Sequence, residues 1–335
     1  MMRNILNYRL FLLQSLVIVL TIMAVMNFDW YADFWEHATV IRSFSQNLWS
    51  KQNPIINDDT INSFQTPYHW ILGLISYLTK GDTLLVLRLS GIFNTILLFF
   101  CLNKLTKSLF PNSKTKEIQF YVLFFILFST SISWKWSGFL DFYSLLITSC
   151  YPSVLANALF FLTMSYWIKF ESEMQLVYFW KTTICLSTIL LLHPLTAISA
   201  YIFILSSSII NISYNYKKKS IKFLFPILFF LISFSLLLSC IYPYFDIISL
   251  VKNNNIVLHN SNLPIFGLAI KIMPPLIFLI FIIYSFRVYE KEYKKQFQVF
   301  FLCIFLLAII CFYGFVSSKY SYGRVISQIC ILDLL

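Results

Sequence analysis

The chain has 335 residues, 59% of them hydrophobic and only 12% charged, against roughly 45–50% and about 25% in soluble domains. With 36 Phe, 20 Tyr and 8 Trp against 7 Gly, and a mean hydropathy of +0.76, these figures exclude a large water-soluble domain, a nucleic-acid-binding protein and a disordered chain. They indicate a polytopic all-α membrane protein, in which the net charge of +11 must be read by position, because Lys and Arg beside membrane spans report sidedness.

A helix needs about 20 apolar residues to cross the hydrocarbon core. Residues 10–27 follow Arg3 and Arg9 much as a signal peptide would, but Ala24–Phe28 offers no small-x-small cleavage site, so a retained first span is expected. Further spans are predicted at 84–103, 118–133, 153–168, 175–192, 195–213, 223–242, 263–286 and 297–316, about nine in all. The apolar stretch 68–79, between Pro67 and Lys80-Gly81-Asp82, is too short to cross and is expected to be re-entrant or interfacial. At the C-terminal end, 325–335 either lies at the interface or begins a tenth span. No separate soluble domain is expected: 1–335 is one transmembrane domain, with 28–83 as a long outer loop.

Basic residues fix the sidedness. With 68–79 kept outside and the N-terminus cytoplasmic, one side collects Arg3, Arg9, Lys104, Lys107, Lys114, Lys116, Lys169, Lys217, Lys218, Lys219, Lys222, Arg287, Lys291, Lys294 and Lys295, which is 15 of the 25 basic residues. Making 68–79 a crossing would throw the Lys104–Lys116 cluster outside and break the positive-inside pattern. A bacterial plasma membrane is the expected location. The outer loop then holds Asp29, Asp33, Glu36, Asp58, Asp59 and Asp82, six of the chain's 14 acids. His37, His69, His193 and His259 also fall outside. No repeat or inverted pair of Gly/Pro-broken helices is evident. The seven cysteines form no C-x-x-C pair, so a packing role is expected.

The densest chemical signal is Asp29-Trp-Tyr-Ala-Asp33-Phe-Trp-Glu36-His37. On a helix, Asp33, Glu36 and His37 share one face, with Asp29 a turn earlier. Such a set suits a general base, or a divalent metal such as Mg or Mn held by Asp33, Glu36 and His37. Asp33-x-x-Glu36 equally fits a helix-start capping box. Asp58-Asp59 after Asn57 reads as a turn, and Asp141 either caps a helix or lines a cavity. His193-Pro194 either ends a helix or presents an imidazole to substrate. Arg88 and Lys271, inside apolar spans near their outer ends, are either functional or snorkel to headgroups. The outer tryptophans either anchor at the interface or stack on a bound ligand.

The order of features then becomes informative. A first span leads into the acidic motif, a polar stretch, the segment Thr66-Pro67-Tyr68-His69-Trp70, a Gly-containing break, and Arg88 in Val86-Leu87-Arg88-Leu89-Ser90. Over about residues 1–110 this resembles the C-type (GT-C) membrane glycosyltransferases, a group that includes protein mannosyltransferases and lipid A aminoarabinose transferases. The resemblance implies two membrane-parallel helices in the first outer loop, the first bearing an essential acid, and inverting transfer from a polyprenyl-phosphate sugar to a lipid, glycan or protein acceptor. It implies Asp33 as catalytic acid residue, with Asp29 and Glu36 as alternative partners. Substrate-binding candidates are His37, His69, His193, Arg88, Lys135, Lys271 and Arg324, the last four as cations for the leaving phosphate. The alternatives are a transporter or flippase for a lipid-linked saccharide, or a truncated, non-catalytic relative.

Overall fold

The computed structural model describes residues 2–27, 33–56, 64–111, 115–128, 140–215, 224–244 and 294–316, together with Ile329 and Leu332. Every element among them is a helix: α1 (Met2–Asn27), α2 (Phe34–Gln46), α3 (Pro67–Thr79), α4 (Thr83–Leu109), α5 (Thr115–Phe128), α6 (Phe142–Thr148), α7 (Pro152–Glu173), α8 (Leu176–Leu192), α9 (Pro194–Asn215), α10 (Leu224–Cys240) and α11 (Lys294–Val316).

Five of these are long and apolar enough to cross a membrane, in the segments Tyr8–Asn27, Thr83–Leu109, Pro152–Glu173, Pro194–Tyr214 and Lys294–Tyr313. The chain is that of an integral membrane protein. Helix α8 and the apolar segment Phe225–Cys240 of α10 are shorter, and α5, expected to span as 118–133, is 14 residues long over its described part. The span expected at 263–286 lies outside the described residues. The count of nine therefore stands at five long helices plus these shorter ones.

Helix boundaries follow local chemistry. Asp82 caps α4, its carboxylate accepting from the Leu84 N–H at 3.0 Å. Pro67 and Pro152 sit in the first turns of α3 and α7, where a missing N–H costs nothing. Helix α3 ends on Lys80 in the left-handed conformation, followed by Gly81, and α8 ends at His193 because Pro194 opens α9.

Helix α7 is the axis of the bundle. In its apolar window 67% of residues are buried, against 28% in those of α1 and α11, so α7 packs on protein where the other two present most of their surface outward. Phe160, Phe161, Met164, Trp167 and Phe170 of α7 are wholly enclosed. Helices α4 and α7 run parallel: Asn94 reaches the Ser149 carbonyl near their starts and Ser108 pairs with Ser165 near their ends. Helix α9 runs alongside α7 in the same direction, with Ser207 donating to Glu171. Helices α5, α8 and α11 run the opposite way, through Gln119 on Asn103, Tyr166 against Tyr178, and Lys295 on Asn211.

The bundle thus has two ends. One holds α2, α3, α6 and the starts of α4 and α7. The other gathers Lys104, Lys107, Lys116, Lys169, Lys181, Lys294 and Lys295 at the ends of α4 and α7 and the starts of α5, α8 and α11.

Candidate functional site

After α1 the chain folds into the α2–α3 pair. Phe34, His37, Ala38, Ile41 and Phe44 recur at helical spacing and are all buried, which turns this stripe of α2 inward. Helix α3 answers with Tyr68, His69, Leu72, Gly73 and Ser76. The two helices approach so closely at Gly73 that a Cβ there would collide with the Phe44 side chain and lie 3.2 Å from the Ile41 carbonyl. The pair is tied down from the turn that follows α10: Phe44 meets Tyr244 edge-on at 5.3 Å, and the Tyr244 hydroxyl donates to the Leu48 carbonyl at 2.7 Å.

This packing buries two imidazoles. His37 Nδ1 and His69 Nε2 share a hydrogen bond of 2.7 Å, and His69 Nδ1 bonds Thr66 Oγ1 at 2.8 Å. The rings are nearly parallel, and Phe64 and Tyr151 enclose His37 at 4.9 and 4.5 Å. Burial holds His37 far below its usual range, at about 3, and lowers His69 as well, with His37 adding to the effect. Both are neutral at physiological pH, so the two rings form a hydrogen-bonded chain rather than a charged pair.

Beside them Tyr68 ties α3 to α4 and to the turn before α7. Its hydroxyl donates to the Cys150 carbonyl at 2.6 Å, lies 2.6 Å from Ser90 Oγ and accepts from Asn94 Nδ2 at 3.1 Å. Asn94 also donates to the Ser149 carbonyl at 2.9 Å. Burial is the main cause that raises the Tyr68 hydroxyl well above its ordinary value. It also pushes the Cys150 thiol up to about 12, against the opposing charge of Arg88. Arg88 thus sits electrostatically beside this knot.

The acidic motif divides. Asp33 takes the cap position of α2, but without the side-chain bond of the expected capping box, and its backbone carbonyl accepts from the His37 N–H at 3.1 Å. Its carboxylate makes no cap hydrogen bond and is half-exposed. Glu36 is half-buried on the flank of α2, beside the exposed Trp35. His37 turns away from both, into His69. The expected metal set therefore does not assemble: among the described residues no three His, Cys, Asp or Glu side chains come together as metal ligands.

His193 is a helix-end residue. Its ring bonds Thr196 Oγ1 at 2.8 Å, and its carbonyl accepts from the Thr196 and Ala197 N–H groups. Asp141 caps α6, accepting from the Ser144 N–H at 3.0 Å, with its pKa raised by burial. Asp29, Asp58, Asp59, Lys135, His259, Lys271 and Arg324 lie outside the described residues. The sequence did not nominate Tyr68, Ser90, Asn94 or Cys150. A usable signal lies in α4, where Ser90, Gly91, Asn94 and Thr95 place one polar and one small-residue i, i+4 pair inside an apolar helix, and such residues in membrane helices mark contacts with other helices.

Compared with family models, with curated proteins and with solved structures, the chain matches none.

Proposed function

We propose that the protein is an inverting glycosyltransferase that uses a polyprenyl-phosphate sugar, with its active site at the α2–α3 end of the bundle. The observation that carries this reading is the state of Asp33. At this end of the bundle Thr66, Tyr68 and His69 are held in structural hydrogen bonds, whereas the Asp33 carboxylate stands at the head of α2, half-exposed and making no cap bond. A free carboxylate on a rigidly packed helix start is what a general base requires.

In the proposed reaction an acceptor hydroxyl gives its proton to Asp33 and its oxygen attacks the anomeric carbon opposite the phosphate. The bond from that carbon to the phosphate oxygen breaks, and polyprenyl phosphate leaves with the electron pair. Arg88 supplies positive charge for the departing phosphate, and Lys135, Lys271 and Arg324 are further candidates for that role. Asp29 and Glu36 orient Asp33, and Trp35 offers an exposed ring face for a sugar. The topology proposed with it has nine spans, a cytoplasmic lysine end and an external α2–α3 end in a bacterial plasma membrane, following the positive-inside bias.

The test is transfer by the reconstituted protein. A panel of sugar-labelled polyprenyl phosphates is offered with a total membrane extract as acceptor source, for wild type and Asp33→Asn. Label is expected to move in the wild type, and the substitution should lower the rate about a thousandfold. Undiminished transfer by Asp33→Asn overturns the assignment of the base. Absence of transfer from every donor overturns the transferase reading.

A further inference from the structure

The opposite end of the bundle carries a second charged feature. Lys104 of α4, Lys169 of α7 and Lys181 of α8 converge on one pair of rings, Tyr166 and Tyr178, whose centroids are 6.2 Å apart. Lys104 Nζ lies 5.6 Å from the Tyr166 centroid and Lys181 Nζ 5.5 Å from it. Lys181 Nζ and Lys169 Nζ lie 5.7 and 5.5 Å from the Tyr178 centroid. Ring-mediated neighbours in this set are therefore within about 11 Å of each other.

Three like charges so placed repel one another, and ring faces offset that repulsion only in part. No ion pair to a carboxylate is among their contacts in the described residues. Glu171, one turn from Trp167, is directed elsewhere: it accepts from Trp167 Nε1, Ser207 Oγ and Ser208 Oγ. Among the described residues the patch has no anion of its own.

Its depth and surroundings say which anion fits. Lys104 and Lys169 lie five and four residues before the ends of α4 and α7, and Lys181 lies five after the start of α8. At 1.5 Å per residue that is one common level, about 6–8 Å inside the helix ends. Phe93, Ile96 and Phe100 form an exposed apolar stripe of α4 that leads up to Lys104, whose Nζ lies 4.7 Å above the Phe100 ring. On α8, Val177 and Ile184 flank Lys181 and are likewise exposed. A phosphate at the lysines with chains along these apolar surfaces describes a phospholipid, and basic sites between membrane helices bind such headgroups.

We infer that this patch, formed by Lys104, Lys169 and Lys181 over Tyr166 and Tyr178, binds the phosphate of one anionic phospholipid. The site is independent of the transferase reading and of which face of the membrane it occupies.

The test is native mass spectrometry of the full chain in detergent, titrated with phosphatidylglycerol or phosphatidylcholine. Wild type should retain phosphatidylglycerol selectively, and the triple variant Lys104→Gln, Lys169→Gln, Lys181→Gln should bind it on the order of 100-fold more weakly. Triple replacement by Arg should preserve selectivity. If the triple Gln variant fails to fold, Lys181→Gln alone, at the exposed member, should weaken binding about fivefold. Equal retention of both lipids, or unchanged binding by the Gln variants, overturns the inference. So does an equal loss on changing Lys217, Lys218 and Lys219 to Gln, which would make the effect one of total charge, or full displacement of lipid by millimolar inorganic phosphate.

Discussion

The two ends of the bundle solve one problem in opposite ways. At the α2–α3 end, polar side chains are buried and kept neutral: His37, His69, Tyr68 and Asn94 are almost wholly enclosed and bonded to one another or to backbone carbonyls. At the lysine end, Lys104, Lys169 and Lys181 rest their ammonium groups on aromatic rings and remain partly exposed. Buried neutral groups are costly to orphan, because an unpaired one forfeits its full desolvation, and this end already carries two such atoms, Asn94 Oδ1 and Ser149 Oγ. Surface cations demand only a ring face and access to water or headgroups. The first end is therefore expected to be rigid and intolerant of change, the second tolerant. A rigid end is the better place to mount a base such as Asp33, for which the thousandfold loss expected of Asp33→Asn is the largest effect proposed for this protein.

The next largest effect breaks the rigid end outright. Replacing Gly73 by Val drives side-chain atoms into the Phe44 side chain and against the Ile41 carbonyl. A loss of about 3 kcal/mol is expected, read as a lowered unfolding temperature of the purified protein in detergent. Transfer should fall with it, since Asp33 is mounted on the element displaced. A neutral Gly73→Val would mean that the close approach of the two helices is not needed.

Much of this end is legible in the sequence, and the part that is not has a physical reason. Helix starts and stops are local chemistry, so Asp33, Pro67, Asp82 and His193-Pro194 could be read directly. So could the stretch 68–79, which is indeed a short helix packed on α2. The Asp33, Glu36 and His37 spacing misleads, because sharing a helical face does not decide which side chain turns inward. His37 belongs to the stripe Phe34, Ala38, Ile41 and Phe44, and burial of that stripe carries the imidazole away from the acids. The Tyr68, Ser90, Asn94 and Cys150 knot joins segments as much as 82 residues apart, and no local pattern encodes such a meeting. The lysine patch is similar: each of its residues looks like ordinary snorkelling until three helices bring them to the same two rings.

Acid distinguishes the ends by charge. Because burial lowers the folded-state pKa of His37 from 6.5 to about 3, the unfolded chain takes up the proton first as pH falls. Stability from the neutral ring is therefore complete above about 6.5 and is lost progressively as pH drops toward about 3. Between pH 6.5 and 5 the loss from His37 is about 2 kcal/mol. Thermal unfolding measured across that range should show this slope in the wild type, and the double variant His37→Gln, His69→Gln should flatten it. A slope that survives the double variant would place the acid sensitivity elsewhere.

The smallest effects sharpen the comparison most directly, because they delete one hydroxyl at each end. Tyr68→Phe removes the donor to the Cys150 carbonyl and an acceptor of Asn94 in a region closed to water. Asn94 keeps its bond to the Ser149 carbonyl, so one buried carbonyl is the principal orphan and the cost is about 1–2 kcal/mol. Ser108→Ala removes a hydroxyl that pairs with Ser165 Oγ at 2.7 Å near the lysine end. Ser108 is only half-buried, and Ser165 Oγ still reaches the Lys104 carbonyl at 3.3 Å, so no group is stranded and about 0.5 kcal/mol is expected. The pair is measured as two unfolding temperatures under one set of conditions. Equal losses would show that the two ends differ in composition but not in how strictly they must be satisfied.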